Sequence, residues 1–314
     1  MKTANSKKII PIFYAADENY LPFLTVSIHS LLQNANKEYA YQIYILTTGV
    51  SEVSQQKLQQ YIHEGAAIEF VDVSQKMRDV KNALQLRDYY TGATYYRIFI
   101  AEMFPQYDKA IYLDSDTVIL GAISDFYNIE LGDNLIGAVA DGAVAAVPEF
   151  KIYTKEVLGI DYRSYFNAGV LLMNLKKFRE EDFYRNFCKL LHLYKFKVAQ
   201  DQDYLNVICK DKVQTIGEEW NRMPIGEKGD NLPKLIHYNL TLKPWHYTGI
   251  LYEEYFWGYA RQTDDFERIL RILHEYSEIE QVNDSESEKK LRALCLEEAA
   301  RVDNYLKISK NQIA

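Results

Sequence analysis

Short apolar runs alternate along this chain with longer stretches whose apolar positions recur every three or four residues. The extended runs are Ile9–Tyr14, Ile43–Thr47, Ile68–Val73, Ala110–Leu113 and Leu135–Val139. Helical spacing fills Phe23–Asn34 and Ser51–Glu64, and Ser51 offers a hydroxyl to cap the second helix. Strands separated by helices of this length predict an α/β domain, a mostly parallel sheet with helices on both faces. Ligands of such sheets bind beyond the carboxyl ends of the strands.

The texture changes near Arg261. Phe266, Ile269, Leu270 and Leu273 predict a helix over Asp264–Tyr276. A polar break, Gln281–Ser287, then precedes a second helix, opened by a capping box of Ser285 and Glu288 and carrying Leu291, Leu294, Val302 and Leu306. From Gln262 to Ala314 there are 8 Lys/Arg against 12 Asp/Glu. A helix lying in a membrane surface is rich in basic residues, so this acidic tail is expected to pack on the core or on a protein. The domain reading is therefore 1–260 for the main body and 261–314 for a helical appendage.

The 314 residues, 48% of them hydrophobic, suffice for a full α/β core. A formal charge of −8 leaves no broad basic face, which argues against nucleic acid and anionic membrane as partners. Cys188, Cys209 and Cys295 are few, odd in number and far apart, so they read as buried apolar residues of a reducing compartment, with the cytoplasm the expected location. After the basic start Met1–Lys8, the run Ile9–Ala16 is too short for a membrane span and reads as the first strand. Tyrosine is heavily used, 26 residues, which suits stacking on sugars as well as half-buried sheet edges.

The chemistry concentrates where strands run out. Asp114-Ser115-Asp116 follows the apolar run Ala110–Leu113 and places two carboxylates on one side of an extended backbone, able to hold one hard divalent cation and so grip a nucleotide diphosphate. His237 ends a second such run, Leu235–Tyr238, and Lys243-Pro244-Trp245-His246 follows. Two carboxylates and an imidazole suit Mn2+, with Mg2+ as the alternative, better than Ca2+ or a thiolate-bound Zn2+. Taken singly, the triplet also fits a solvated turn and His237 an ordinary half-buried histidine.

Three more segments complete the set: Ala15-Ala16-Asp17-Glu18-Asn19 after the first strand, Thr94-Tyr95-Tyr96-Arg97, and Phe166–Asn174 followed by Gln200-Asp201-Gln202-Asp203. With the Asp114/Asp116 pair and the His237–His246 stretch, in this order from about Ile9 to about Gly258, the chain closely resembles glycosyltransferase family 8, especially its bacterial galactosyltransferase branch. The resemblance implies the GT-A type fold of nucleotide-diphospho-sugar transferases and transfer of a hexose, galactose before glucose, from UDP-galactose or UDP-glucose to a glycan acceptor with retention of configuration. It implies Asp114, Asp116 and His237 as metal ligands. Lys243 would then touch the diphosphate, in a loop shaped by Pro244 and anchored by Trp245.

On the same resemblance Asp17 and Asn19 would hydrogen-bond uracil and ribose beside Ala15 and Ala16, and Ser115 would lie within the donor site. Arg97 would touch donor sugar and phosphate, Asp141 sugar hydroxyls, and Asn167, Ala168 and Gly169 would line the sugar pocket. Asp201 and Gln202 would carry the chemistry. A double displacement needs a carboxylate nucleophile, but the family's matching position holds an amide, here Gln202, which favours front-face displacement; neighbouring Asp203 keeps the other route open. The sequence departs from the family at Leu240, where glycine is usual. A protein-linked glycan is the favoured acceptor, and the tail is expected to serve acceptor or protein contact. The rivals are a self-glycosylating starter protein using Tyr153, Tyr162 or Tyr165, and a non-catalytic UDP-sugar-binding scaffold.

Overall fold

A computed structural model describes residues 7–81, 92–229 and 231–313. Of the basic start Met1–Lys8, residues 1–6 lie outside them. The described residues form nine strands: β1 (Lys8–Ala15), β2 (Tyr39–Thr47), β3 (Ala66–Asp72), β4 (Ala110–Leu113), β5 (Thr117–Ile119), β6 (Ile136–Ala140), β7 (Phe166–Met173), β8 (Val213–Thr215) and β9 (Leu235–His237). Seven of them form one sheet in the order β3-β2-β1-β4-β7-β6-β8. All its pairings are parallel except those of β7, which runs antiparallel to β4 and β6. The other two, β5 and β9, pair as a separate antiparallel ribbon.

β1, β4 and β7 are apolar on both faces because helices cover both, which is why they read as continuous hydrophobic runs. One core lies on each side. Phe13, Tyr112, Leu171 and Phe187 belong to the first, and Tyr14, Ile43, Ile111 and Leu172 to the second. Ser51 caps its helix as expected, accepting from the Ser54 amide, but the helix stops at Gln59. The reversal of β7 has a functional consequence. Its amino end lies beside the carboxyl ends of β4 and β6, where Ala140 pairs with Phe166 and the Asp114 amide donates to the Gly169 carbonyl at 2.7 Å.

The tail departs from its expected pattern. A helix at Phe266–Glu275 agrees, but the polar stretch Gln281–Ser287 is not a break: one helix runs from Glu278 to Ala300. Its capping box is Ser277 with Glu280, so Ser285 and Glu288 lie inside it. Val302 is exposed, and Leu306 belongs to a separate helix, Tyr305–Ile313. A polar surface sequence satisfies a solvent-facing helix as well as a loop, and the cap at Ser277, eight residues before Ser285, decides the start. Ile269 and Cys295 are fully buried, in a third core around Trp245 and in the first core respectively.

Candidate active site

β4 ends at Leu113, and the next three residues turn the chain from the sheet into the ribbon. In that ribbon Thr117 faces His237, and the Tyr238 amide donates to the Asp116 carbonyl at 2.9 Å. Asp114, Asp116 and His237 are thereby brought together, one possible ligand atom from each lying within 4.8 Å of the others. His237 Nε2 is 3.2 Å from Asp116 Oδ1 and 3.7 Å from Asp114 Oδ2. Its other ring nitrogen, Nδ1, is 3.1 Å from the Asn221 side-chain oxygen, which orients the ring.

The arrangement fits a divalent cation on two further grounds. Asp116 is 9% exposed, yet its Oδ1 has no hydrogen-bond partner among the described residues. A buried carboxylate oxygen left without a donor is costly unless a cation completes it. Gly169 lies against the cluster, and a Cβ there would fall on the His237 ring and 2.6 Å from Asp114 Oδ2. Any side chain at position 169 would fill the space between the ligands.

Two buried cations flank the carboxylates. Lys243, 5% exposed, reaches Asp116 Oδ2 and the Tyr238 carbonyl. Burial opposes both charges, but the pair sustains them: Lys243 holds Asp116 below the usual carboxylate range and Asp116 holds Lys243 above the usual lysine value. Trp245 fixes the loop by stacking on Phe23, ring centroids 3.8 Å apart and nearly parallel. Arg97, 3% exposed, lies 3.1 Å from Asp114 Oδ1 through Nη2 and sits over the Tyr112 ring at 4.3 Å. Its Nε is 3.1 Å from Asp201 Oδ2 but donates to the Thr94 carbonyl at 2.8 Å, and its Nη1 donates to the Ala168 carbonyl. Asp201 therefore receives charge from Arg97 without a hydrogen bond at Oδ2. Burial wins there and pushes the Asp201 carboxyl up to about 7.

Asp141 ties the sugar-pocket motif to the helix of Gln202. Its Oδ1 accepts from the amides of Ala143 and Val144, while Oδ2 accepts from Asn167 at 3.1 Å and Gln202 Nε2 at 3.0 Å. The Gln202 oxygen accepts from the Ala168 amide at 2.9 Å. Asn167 then accepts from Gly169 and from Asn221, which closes a network back to His237. Asp203 is not available to this cleft. It is fully buried, and Tyr153 and Tyr165 donate to its two oxygens at 2.9 and 2.8 Å. These tyrosines are 2% and 1% exposed, and their hydroxyls are committed to holding Asp203.

At the end of β1 the Ser115 hydroxyl donates to the Ala15 carbonyl at 2.9 Å, joining the first motif to the Asp pair. Ala16 is buried; Asp17 accepts from the amides of Asn19 and Tyr20, which opens the helix Leu21–Gln33. Asn19 is exposed, and its side chain enters none of the described contacts. Sequence motifs did not point to Tyr112, Tyr20 or Asn221. Tyr112 was legible in principle, since a period of two puts it on the face of Asp114, where its hydroxyl donates at 2.9 Å. Tyr20 lies in the field of Lys243 and Asp116. Asn221 sits in an irregular loop and carries no sequence signal.

A flanked, mostly parallel sheet with an acidic pair at the end of a central strand is the architecture of GT-A glycosyltransferases. The profile described as "Glycosyl transferase family 8" matches residues 11–249, and the chain belongs to that family. It is 29% identical over 240 residues to a putative glycosyltransferase of Haemophilus influenzae, covering 76% of this chain and 71% of that protein. It is 25% identical to the lipopolysaccharide 1,3-galactosyltransferase of Salmonella typhimurium, over 76% and 73% of the two chains. Among solved structures, galactosyltransferase LgtC in complex with donor and acceptor sugar analogs superposes with a TM-score of 0.70 at 26% identity, over 81% of this chain and 96% of that one. This protein is a glycosyltransferase. Among the described residues no helix is long and apolar enough to cross a membrane.

Proposed function

We propose that this glycosyltransferase moves a hexose, galactose before glucose, from a UDP-sugar to a glycan acceptor with retention of anomeric configuration. Asp114, Asp116 and His237 would hold Mn2+, with Mg2+ as the alternative, which would offset charge on the departing diphosphate. The observation that carries the reading is the convergence of this ligand set with two buried cations, Lys243 and Arg97, at the carboxyl ends of strands. Lys243 binds the diphosphate, and Asp17 and Asn19 bind uridine beside Ala15 and Ala16. Asn167, Ala168 and Gly169 leave room for the sugar ring. Asp141 bonds sugar hydroxyls through its lone pairs while orienting Gln202.

Front-face displacement is the favoured course. Asp203, a carboxylate beside Gln202 that a double displacement could recruit, is locked under two tyrosines. The Gln202 amide, fixed by Ala168 and Asp141, presents a dipole to the anomeric carbon, and Asp201 binds donor or acceptor hydroxyls beside Arg97. Residues 1–260 form the catalytic domain in this reading, residues 261–314 its helical appendage, and the compartment is the cytoplasm. The acceptor is a glycan, with a protein-linked one favoured.

UDP release across a set of UDP-sugars, with and without Mn2+, tests the donor and the metal together. Asp114→Asn and Asp116→Asn should abolish transfer and metal-dependent UDP binding while leaving the fold intact, because the site sits at strand ends. Calorimetry showing unchanged metal dependence in both variants would refute the ligand assignment, and proton NMR of the product reads its configuration.

A further inference from the structure

The Lys243 loop is held from behind by the tail. Lys243 to Tyr247 form one turn, in which the Lys243 carbonyl accepts from the amides of His246 and Tyr247, both at 3.0 Å. The Tyr247 hydroxyl donates to Asp284 Oδ2 at 2.6 Å, and the Tyr276 hydroxyl donates to the same oxygen at 2.6 Å. Asp284 stands on the tail helix Glu278–Ala300 and is 4% exposed. Tyr276 ends the preceding helix and stacks on His246, centroids 4.0 Å apart and rings within 6° of parallel. One buried carboxylate thus gathers two tyrosines, and through them both residues that follow Trp245. Displacement of Tyr247 would pass along a single turn of backbone to Lys243, whose ammonium lies on Asp116.

We propose that Asp284 is a positioning residue of the donor site: with Tyr247 and Tyr276 it latches the tail onto the Lys243 loop and holds that lysine where the donor diphosphate binds. A surface patch for an acceptor would not need a buried acid clasping the donor loop. The proposal rests on the donor reading above, and it revises the tail's expected role from acceptor contact to donor binding. A charge-assisted hydrogen bond is stronger than a neutral one and strict about geometry, so a carboxylate accepting two hydroxyls holds the turn more firmly than an amide could.

UDP affinity with Mn2+, thermal midpoint, and hydrogen exchange of the His246 and Tyr247 amides test this in the full chain. In Asp284→Asn, and independently in Tyr247→Phe, those two amides should exchange faster and the UDP dissociation constant should rise about tenfold, the size expected for one hydrogen bond to a charged group. The control is Glu298→Gln at the far end of the same helix, where the carboxylate accepts from Tyr194 and Lys197. It should lower the thermal midpoint and leave UDP affinity unchanged. Wild-type protein that fails to bind UDP with Mn2+ would overturn the donor reading and the latch with it. Wild-type binding that both Asp284→Asn and Tyr247→Phe leave unchanged, or that Glu298→Gln weakens equally, would overturn the latch alone.

Discussion

Asp201 and Asp116 are both buried acids beside a buried cation, yet they titrate in opposite directions. Lys243 reaches the Asp116 carboxylate directly, and its attraction outweighs burial. Arg97 has its donors occupied by Thr94, Ala168 and Asp114, so Asp201 keeps most of its burial penalty and rises to about 7. A carboxyl whose folded value lies above its ordinary one stabilises the fold below that ordinary value, and the contribution is lost as pH rises through about 7. Metal-free protein should therefore lose stability between roughly pH 4 and 7 on this account. Asp201→Asn should flatten that slope, as urea midpoints across the range would register. A slope unchanged by the substitution would show that Asp201 is ionised throughout.

Leu240 lies between His237 and Lys243, at the position where the resemblance implies glycine, and it adopts φ of +55°. That is a backbone conformation that glycine adopts freely. A left-handed backbone costs a non-glycine residue about 1–2 kcal/mol. Glycine in turn loses more freedom on folding, about 0.5–1 kcal/mol. The Leu240 side chain is 46% exposed and gives little burial to set against this difference. Leu240→Gly should therefore stabilise the protein by about 0.5–1 kcal/mol, against the usual direction for a glycine substitution. Denaturant unfolding measures it, and a clear loss of stability would mean that the leucine packs on something in solution.

Tail and body are joined by buried side chains, and this changes what truncation should do. Ile269 and Cys295 are fully buried in cores that the main body shares, and Glu298, 1% exposed, ties the long tail helix to Tyr194 and Lys197. Removing residues from Gln262 onward would take Phe266, Ile269 and Ile272 out of the core around Trp245 and cut the contact to Tyr247. The shortened chain should show a clearly lower thermal midpoint and weaker UDP binding together. Calorimetry and a UDP titration on one preparation check both, and a stable truncated protein with full UDP affinity would show that the tail is dispensable.

The fold class and the cluster of Asp114, Asp116 and His237 were legible in the chain because both rest on local regularities. Apolar runs of strand length alternate with helical spacing, and a carboxylate pair directly after such a run lands at a strand end whatever the rest of the molecule does. The acidic balance and the position of Trp245 beside Lys243 carried as far. Other features depend on contacts between segments remote in sequence, which no periodicity records. Asn221 meets His237 across a loop, and β7 reverses in the sheet to bring Gly169 against the ligands. The 26 tyrosines are the clearest instance. Composition suited them to stacking on sugars, yet Tyr112, Tyr153, Tyr165, Tyr194, Tyr247 and Tyr276 each direct a hydroxyl at a carboxylate. A buried acid must be given donors, and which tyrosine supplies them is settled when the chain packs.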